Sequence, residues 1–208
     1  VLERESNAKL QETLDILMQS KIDLKETERE TKTRQSISSL KRLFSGDFGR
    51  VFDLVLPVHA KYANALSILM GKNIDAIVVQ TEKTAIECIK YLKEQKIGQF
   101  TFIPLDSIVT KGPSERQRAL GEGARPALDV LKFDVNHLKA LEYVCGDALI
   151  VDSIELGQQI AYSSTSTAGK GCKIVSLDGT IIHKSGMITG GVERNSSSSG
   201  RRWEEKEV

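Results

Sequence analysis

Residues 178–191 read DGTIIHKSGMITGG and carry glycines at 179, 186, 190 and 191. Two short β-prone stretches, 180–182 and 187–189, lie between the glycines. A residue without a Cβ allows positive φ and lets another backbone come close. Four such residues in so short a run predict a surface where two backbones meet, and no chemistry that the run performs alone.

The run closes the second of two similar segments. TFIPLD ends at Asp106 and KIVSLD at Asp178, 72 residues on, and AIVV at 76–79 and ALIV at 148–151 keep the same offset. The helix ends before them align as Ala65-Leu66…Gly71 with Ala140-Leu141…Gly146, an offset of 75. Helix, glycine, strand, helix, loop, strand and Leu-Asp thus occur twice, which predicts an internal duplication. Chance similarity between two α/β units is the alternative. The expected fold class is α/β (α+β), with two similar α/β subdomains.

The remaining elements follow from periodicity and punctuation. Residues 51–56, 74–79, 100–105, 129–133, 148–151 and 173–177 read as strands. Residues 57–70, 82–96, 137–145 and 154–161 read as helices, with Tyr62, Ala65, Leu66 and Leu69 forming one apolar face. Residues 107–127 hold Gly112, Pro113, Gly121, Gly123 and Pro126 around a charged SERQR, the composition of a linker. SSTSTAGKG at 163–171 reads as a flexible loop, and so does the serine run after Asn195.

Residues 1–45 differ from all of this, with no glycine before Gly46 and no proline before Pro57. Leu10, Leu14, Leu17 and Leu24 alternate steps of 4 and 3, with Lys21 at the missing position of a heptad seam. The seam weakens at Glu28, Thr31 and Gln35, and an apolar stripe resumes at Ile37, Leu40 and Phe44. This predicts one long helix that pairs in a coiled coil; a solvated single helix is the alternative. The charged tail from Arg201 begins a second helix in this reading.

Composition sets outer bounds. Net charge is +1, aromatics make up 5% and charged residues 27%. No global field marks a nucleic-acid binder, and base stacking has few aromatics to use. Cys88, Cys145 and Cys172 form no paired motif, as in a reduced intracellular protein. No apolar run reaches the roughly 18 residues of a membrane span. The chain starts inside a helical pattern without Met, as an excised fragment would.

Catalytic readings find little support. His59, His137 and His183 have no metal-ligand spacing, AGKG at 168–171 lacks the rest of a phosphate loop, and no Gly-x-Ser-x-Gly elbow occurs. Asp106 and Asp178 are equivalent carboxylates, but each follows a strand and Asp178-Gly179 is a turn dipeptide. No metal, cofactor or enzymatic activity is expected of this segment. Lys170, Lys173, Arg201 and Arg202 are candidate contacts to DNA phosphates, and solvated surface is the alternative for each.

A helix in, a duplicated α/β body ending in this glycine run, and a helix out resemble the hinge of structural maintenance of chromosomes (SMC) proteins. The resemblance spans about residues 44–195 and rests on GKNIDAIVV, CIKYLKEQ, TFIPLD, YVCGDALIVD and DGTIIHKSGMITGG. GKNIDAIVV, FIPLD and RRWEEKEV are most similar to cohesin's SMC subunits, the first of its two core subunits above all. The resemblance implies a coiled-coil arm segment at 1–44, hinge subdomains at 45–106 and 128–195, a linker at 107–127, and a loop with the start of the returning arm at 196–208. It implies pairing with a partner SMC hinge, or with a second copy when that partner is missing, to close a ring around chromosomal DNA in the nucleus. Gly179, Gly186, Gly190 and Gly191 become the implied interface positions, with Ile181, Met187 and Ile188 as apolar contacts. ATP hydrolysis would belong to heads outside this segment.

Overall fold

The computed structural model describes residues 2–44, 49–121, 123–162, 171–190 and 203. Residues 1–45 and 46–208 form two units. The first is a single helix, α1 (Leu2–Leu43), whose seam residues Leu10, Leu14, Leu17 and Leu24 are exposed and whose Ile37 and Leu40 are buried.

The second unit runs through β1 (Gly49–Arg50), α2 (Val51–Leu54), β2 (Val55–Pro57), α3 (Ala63–Met70), β3 (Ile77–Val79), α4 (Glu82–Glu94) and β4 (Phe102–Pro104). It continues through α5 (Glu115–Arg118), β5 (Ala124–Pro126), β6 (Leu131–Phe133), α6 (Leu138–Cys145), β7 (Leu149–Val151), α7 (Ile154–Tyr162), β8 (Ile174–Ser176), β9 (Ile181–Ile182) and β10 (Ile188–Thr189). Short 3-10 turns precede α3, β3, β6 and α6.

The duplication is written in the hydrogen bonds. One sheet has the order β1-β3-β4, and a second has the order β10-β9-β8-β7-β5. In the first, β3 and β4 are parallel, with Ile77 opposite Phe102; in the second, β7 and β8 are parallel, with Leu149 opposite Ile174. Both partners step by the 72 residues seen in the sequence. β1 and β5 pair antiparallel on the outer sides of β3 and β7. Among the described residues the second sheet continues past this motif, into the β9–β10 hairpin, and the first does not.

The halves meet through their own equivalent parts. β2 and β6 pair antiparallel, Val55 with Phe133, Leu56 with Lys132 and Pro57 with Leu131. One large core joins them, taking Leu66, Leu69, Val78 and Ile103 from the first half and Leu141, Val144, Ile150 and Val175 from the second. A smaller cluster of Leu149, Val151, Ile160, Ile174 and Ile182 belongs to the second half. Cys88, Cys145 and Cys172 are buried thiols that form no disulfide; burial pushes the Cys145 thiol up to about 12.

Several elements differ from their sequence reading. Residues 51–56, expected as a strand, begin with the helical turn α2, because the Val51 N–H donates to Ala76 O (2.9 Å) and the turn buries both Val51 and Phe52. Tertiary burial here overrides β propensity. Pro57 belongs to β2 rather than to the helix, and strand structure near 74–79 and 129–133 is confined to β3 and β6.

Residues 107–127 hold more than turns. Ser114 and Gln117 form a capping box on α5, and Gln117 Nε2 donates to Asp147 O (2.8 Å). Thr110 Oγ1 donates to Glu142 Oε2 (3.0 Å), and β5 enters the second sheet. Residues 163–170, expected as a loop, lie outside the described residues.

Candidate functional site: the glycine-rich hairpin

The hairpin grows from β8 through a tight, hydroxyl-lined turn. Ser176 N–H donates to Thr180 O (2.9 Å), Gly179 N–H to Ser176 O (3.0 Å) and Thr180 N–H to Ser176 Oγ (3.1 Å). The Ser176 hydroxyl donates to the Asp178 carboxylate, which it holds below the usual carboxylate range. Asp106, the equivalent carboxylate, does a different job. It accepts from the Ser107 hydroxyl (2.8 Å) and, through both oxygens, from the Glu82 N–H at the start of α4 (3.0 and 3.1 Å). Both carboxylates therefore serve local structure and do not converge on a shared site.

The four glycines of the run have different surroundings. Gly179 is buried with φ +97°, and a Cβ there would lie 2.6 Å from Ile68 Cδ1 and 3.3 Å from Asn64 Nδ2 of α3. Asn64 Nδ2 also donates to Leu177 O (3.4 Å), so α3 grips the turn from beneath. Gly186 has φ +86° in the second turn, where its N–H donates to His183 O (2.9 Å) and its carbonyl accepts from the Tyr162 hydroxyl (2.8 Å). Gly190 is exposed, and a Cβ there would come within 3.1 Å of the Thr180 side chain. Gly191 lies outside the described residues.

Between the turns, β9 and β10 pair antiparallel, Ile182 with Ile188 and Ile181 with Thr189. His183 N–H donates to Met187 O (2.8 Å), and His183 Nε2 lies 3.2 Å from Thr189 Oγ1. Ile182 is fully buried and Ile181 packs partly against the main core. β10 is different: Met187 is 59% exposed and Ile188 45%. Among the described residues no strand lies beyond β10. The arrangement thus presents a row of backbone donors and acceptors, flanked by apolar side chains, on a strand anchored by a buried neighbour. Such an edge takes up another strand.

Of the candidate phosphate contacts, Lys173 is half-buried and donates to Leu69 O (3.2 Å), and burial lowers its pKa. Lys170, Arg201 and Arg202 lie outside the described residues. Among the described residues no group of His, Cys, Asp and Glu is placed to hold a metal ion, and no helix is long and apolar enough to cross a membrane. Two residues escaped the sequence reading: Tyr162, which bonds the hairpin at Gly186, and Trp203, which belongs to the main core. Tyr162 sits at the end of α7 as an exposed aromatic with no periodic signal, and Trp203 is the chain's one tryptophan, inside a charged stretch.

The model for "SMC proteins Flexible Hinge Domain" matches residues 44–161. Structural maintenance of chromosomes protein 1 of Schizosaccharomyces pombe is 38% identical over 202 residues, covering 97% of this chain and 16% of its own length. The chain thus spans about one sixth of that relative. The solved folded elbow of cohesin is similar with a TM-score of 0.74 at 32% identity, covering 99% of this chain and 30% of that one. An asymmetric dimer of the Geobacillus stearothermophilus SMC hinge domain is similar with a TM-score of 0.65 at 26% identity, covering 80% of this chain and 68% of that one. The duplicated body, the hairpin added to its second half and these likenesses agree: the chain belongs to the flexible hinge domain family of SMC proteins.

Proposed function

We propose that this chain is the hinge of a cohesin-type SMC subunit, pairing with the hinge of the partner SMC subunit to close a ring that holds chromosomal DNA in the nucleus. The observation that carries this reading is the exposed strand β10 at the end of the five-stranded sheet. β4, the counterpart of β8, ends the other sheet, and among the described residues no strand lies on the side that β9 occupies in the second half. Each half therefore offers an edge, and two hinges matching β10 of one to β4 of the other, twice, close a ring. Gly186, Gly190 and Gly191 keep the approach free of side chains, Met187 and Ile188 supply apolar contact, and Gly179 and Ile181 support the hairpin from the body side.

The relative named protein 1 of the SMC group and the dimeric hinge structure support this assignment. In the same reading, 1–44 is an arm segment whose exposed leucine seam pairs with a second helix. Subdomains 45–106 and 128–195 are joined by 107–127, and 196–208 starts the returning arm. ATP hydrolysis belongs to distant heads of the whole protein, and a homodimer forms where the partner is missing. Light scattering of the chain with and without the partner hinge tests the assignment. Gly186→Glu and Gly190→Glu, which add bulk and a charge to be desolvated, weaken association; unchanged association in both variants overturns it.

A further inference from the structure

The hydrogen-bond pattern shared by the halves exposes one position where they part. Ile77 N–H donates to Thr101 O (2.8 Å) and Leu105 N–H to Val79 O (2.9 Å); the equivalents are Leu149 N–H to Lys173 O (2.9 Å) and Leu177 N–H to Val151 O (3.1 Å). Alternate residues of a strand face the same neighbour. Thr101, Ile103 and Leu105 therefore direct their backbone groups to β3, while Phe102 and Pro104 direct theirs to the open side. In the second half those two positions are Ile174 and Ser176. The Ser176 N–H donates to Thr180 O (2.9 Å), a bond beside the turn that leads into β9.

Pro104 has no N–H to give, and its carbonyl already accepts from Ile108 N–H (3.3 Å). The open edge of β4 is thus closed at Pro104, and Phe102 is its remaining β4 residue with both backbone groups turned outward. A proline on an edge strand is a known means of limiting strand addition.

We propose that Pro104 is the specificity-determining residue of this edge. It confines the β10 strand of a second hinge to the Phe102 end and bars the fuller pairing that β8 gives β9. The inference rests on the reading of β4 and β10 as the pairing edges. The occupant is a second hinge because the equivalent place beside β8 is filled by the chain's own hairpin, whose β10 is itself left as an edge.

The test restores the missing donor with Pro104→Ser, the residue of the other half, and Pro104→Ala. Both variants regain an N–H, so both should tighten hinge–hinge association by about fivefold, the effect of roughly one added hydrogen bond. The new amide at 104 should also become protected from hydrogen exchange on association. Affinity unchanged within about twofold, with that amide exchanging at its free rate in the complex, overturns the inference. Gly190→Glu in the otherwise native chain separates the two claims. If it weakens association while the Pro104 variants change nothing, the role of Pro104 alone falls; if it too changes nothing, the edge-pairing reading falls.

Discussion

The indole N–H of Trp203 donates to Ser67 Oγ at 2.8 Å, across 136 residues of chain. Ser67 Oγ donates in turn to Ala63 O within α3 (2.9 Å), and the Trp203 ring lies 4.5 Å from Phe52, centroid to centroid. With 3% exposure, Trp203 is part of the main core. Replacing it with alanine should lower the unfolding free energy by about 3–5 kcal/mol, the usual cost of deleting a large buried aromatic. Trp203→Phe keeps most of the volume and loses the bond to Ser67, for about 1 kcal/mol. Urea unfolding of the three proteins checks both values and their order.

Gly179 and Gly190 should differ in their response to alanine. At Gly179 the left-handed backbone costs a Cβ about 1–2 kcal/mol, and the added atom meets Ile68. Gly179→Ala should therefore lower the thermal midpoint of the isolated chain. Gly190 lacks a positive φ and is exposed, so Gly190→Ala should leave that midpoint within about 2 °C, the nearest atoms to the added methyl being those of the Thr180 side chain.

Tyr162 pins the outer turn of the hairpin through the Gly186 carbonyl. Tyr162→Phe removes that bond and little else, so amides at 183–187 should exchange about fivefold faster, as expected for loss of one hydrogen bond. The global unfolding midpoint should stay nearly unchanged. Exchange read residue by residue by NMR distinguishes this from general loosening.

Acid should act on both ends of the duplicated motif. The Ser107 hydroxyl and the Glu82 N–H hold the Asp106 carboxyl below its ordinary 3.8, and the Ser176 hydroxyl does the same for Asp178. A carboxyl with a depressed folded pKa contributes stability that is complete above the unfolded value and disappears as pH falls through the folded one. Stability should thus drop below about pH 4, where the unfolded carboxyls take up protons first. Asp106→Asn and Asp178→Asn should each flatten that acid limb, measured as the unfolding midpoint from pH 6 down to pH 2.5.

The duplication was legible because TFIPLD and KIVSLD keep both spacing and character, and because Gly71 and Gly146 stop equivalent helices. The short elements were not legible. A three-residue strand such as β2 or β6 is too brief for periodicity to register, and its pairing partner lies more than 70 residues away. The four glycines looked alike in sequence; only the placement of α3 separates the inward Gly179 from the outward Gly190. Trp203 was hidden because its neighbours, Arg-Arg before and Glu-Glu-Lys-Glu after, carry charge and no apolar period. The break in symmetry at Pro104 and Ser176 appears only once the ladder shows which way each backbone group points.

The central claim is that hinges pair edge to edge, β10 against β4. Amide hydrogen exchange of this chain, free and mixed with the partner SMC hinge, tests it most directly. New protection should concentrate at Ile188 and Gly190, whose backbone groups point away from β9, and at Phe102. A complex that protects other surfaces and leaves both edges exchanging as in the free chain would contradict it.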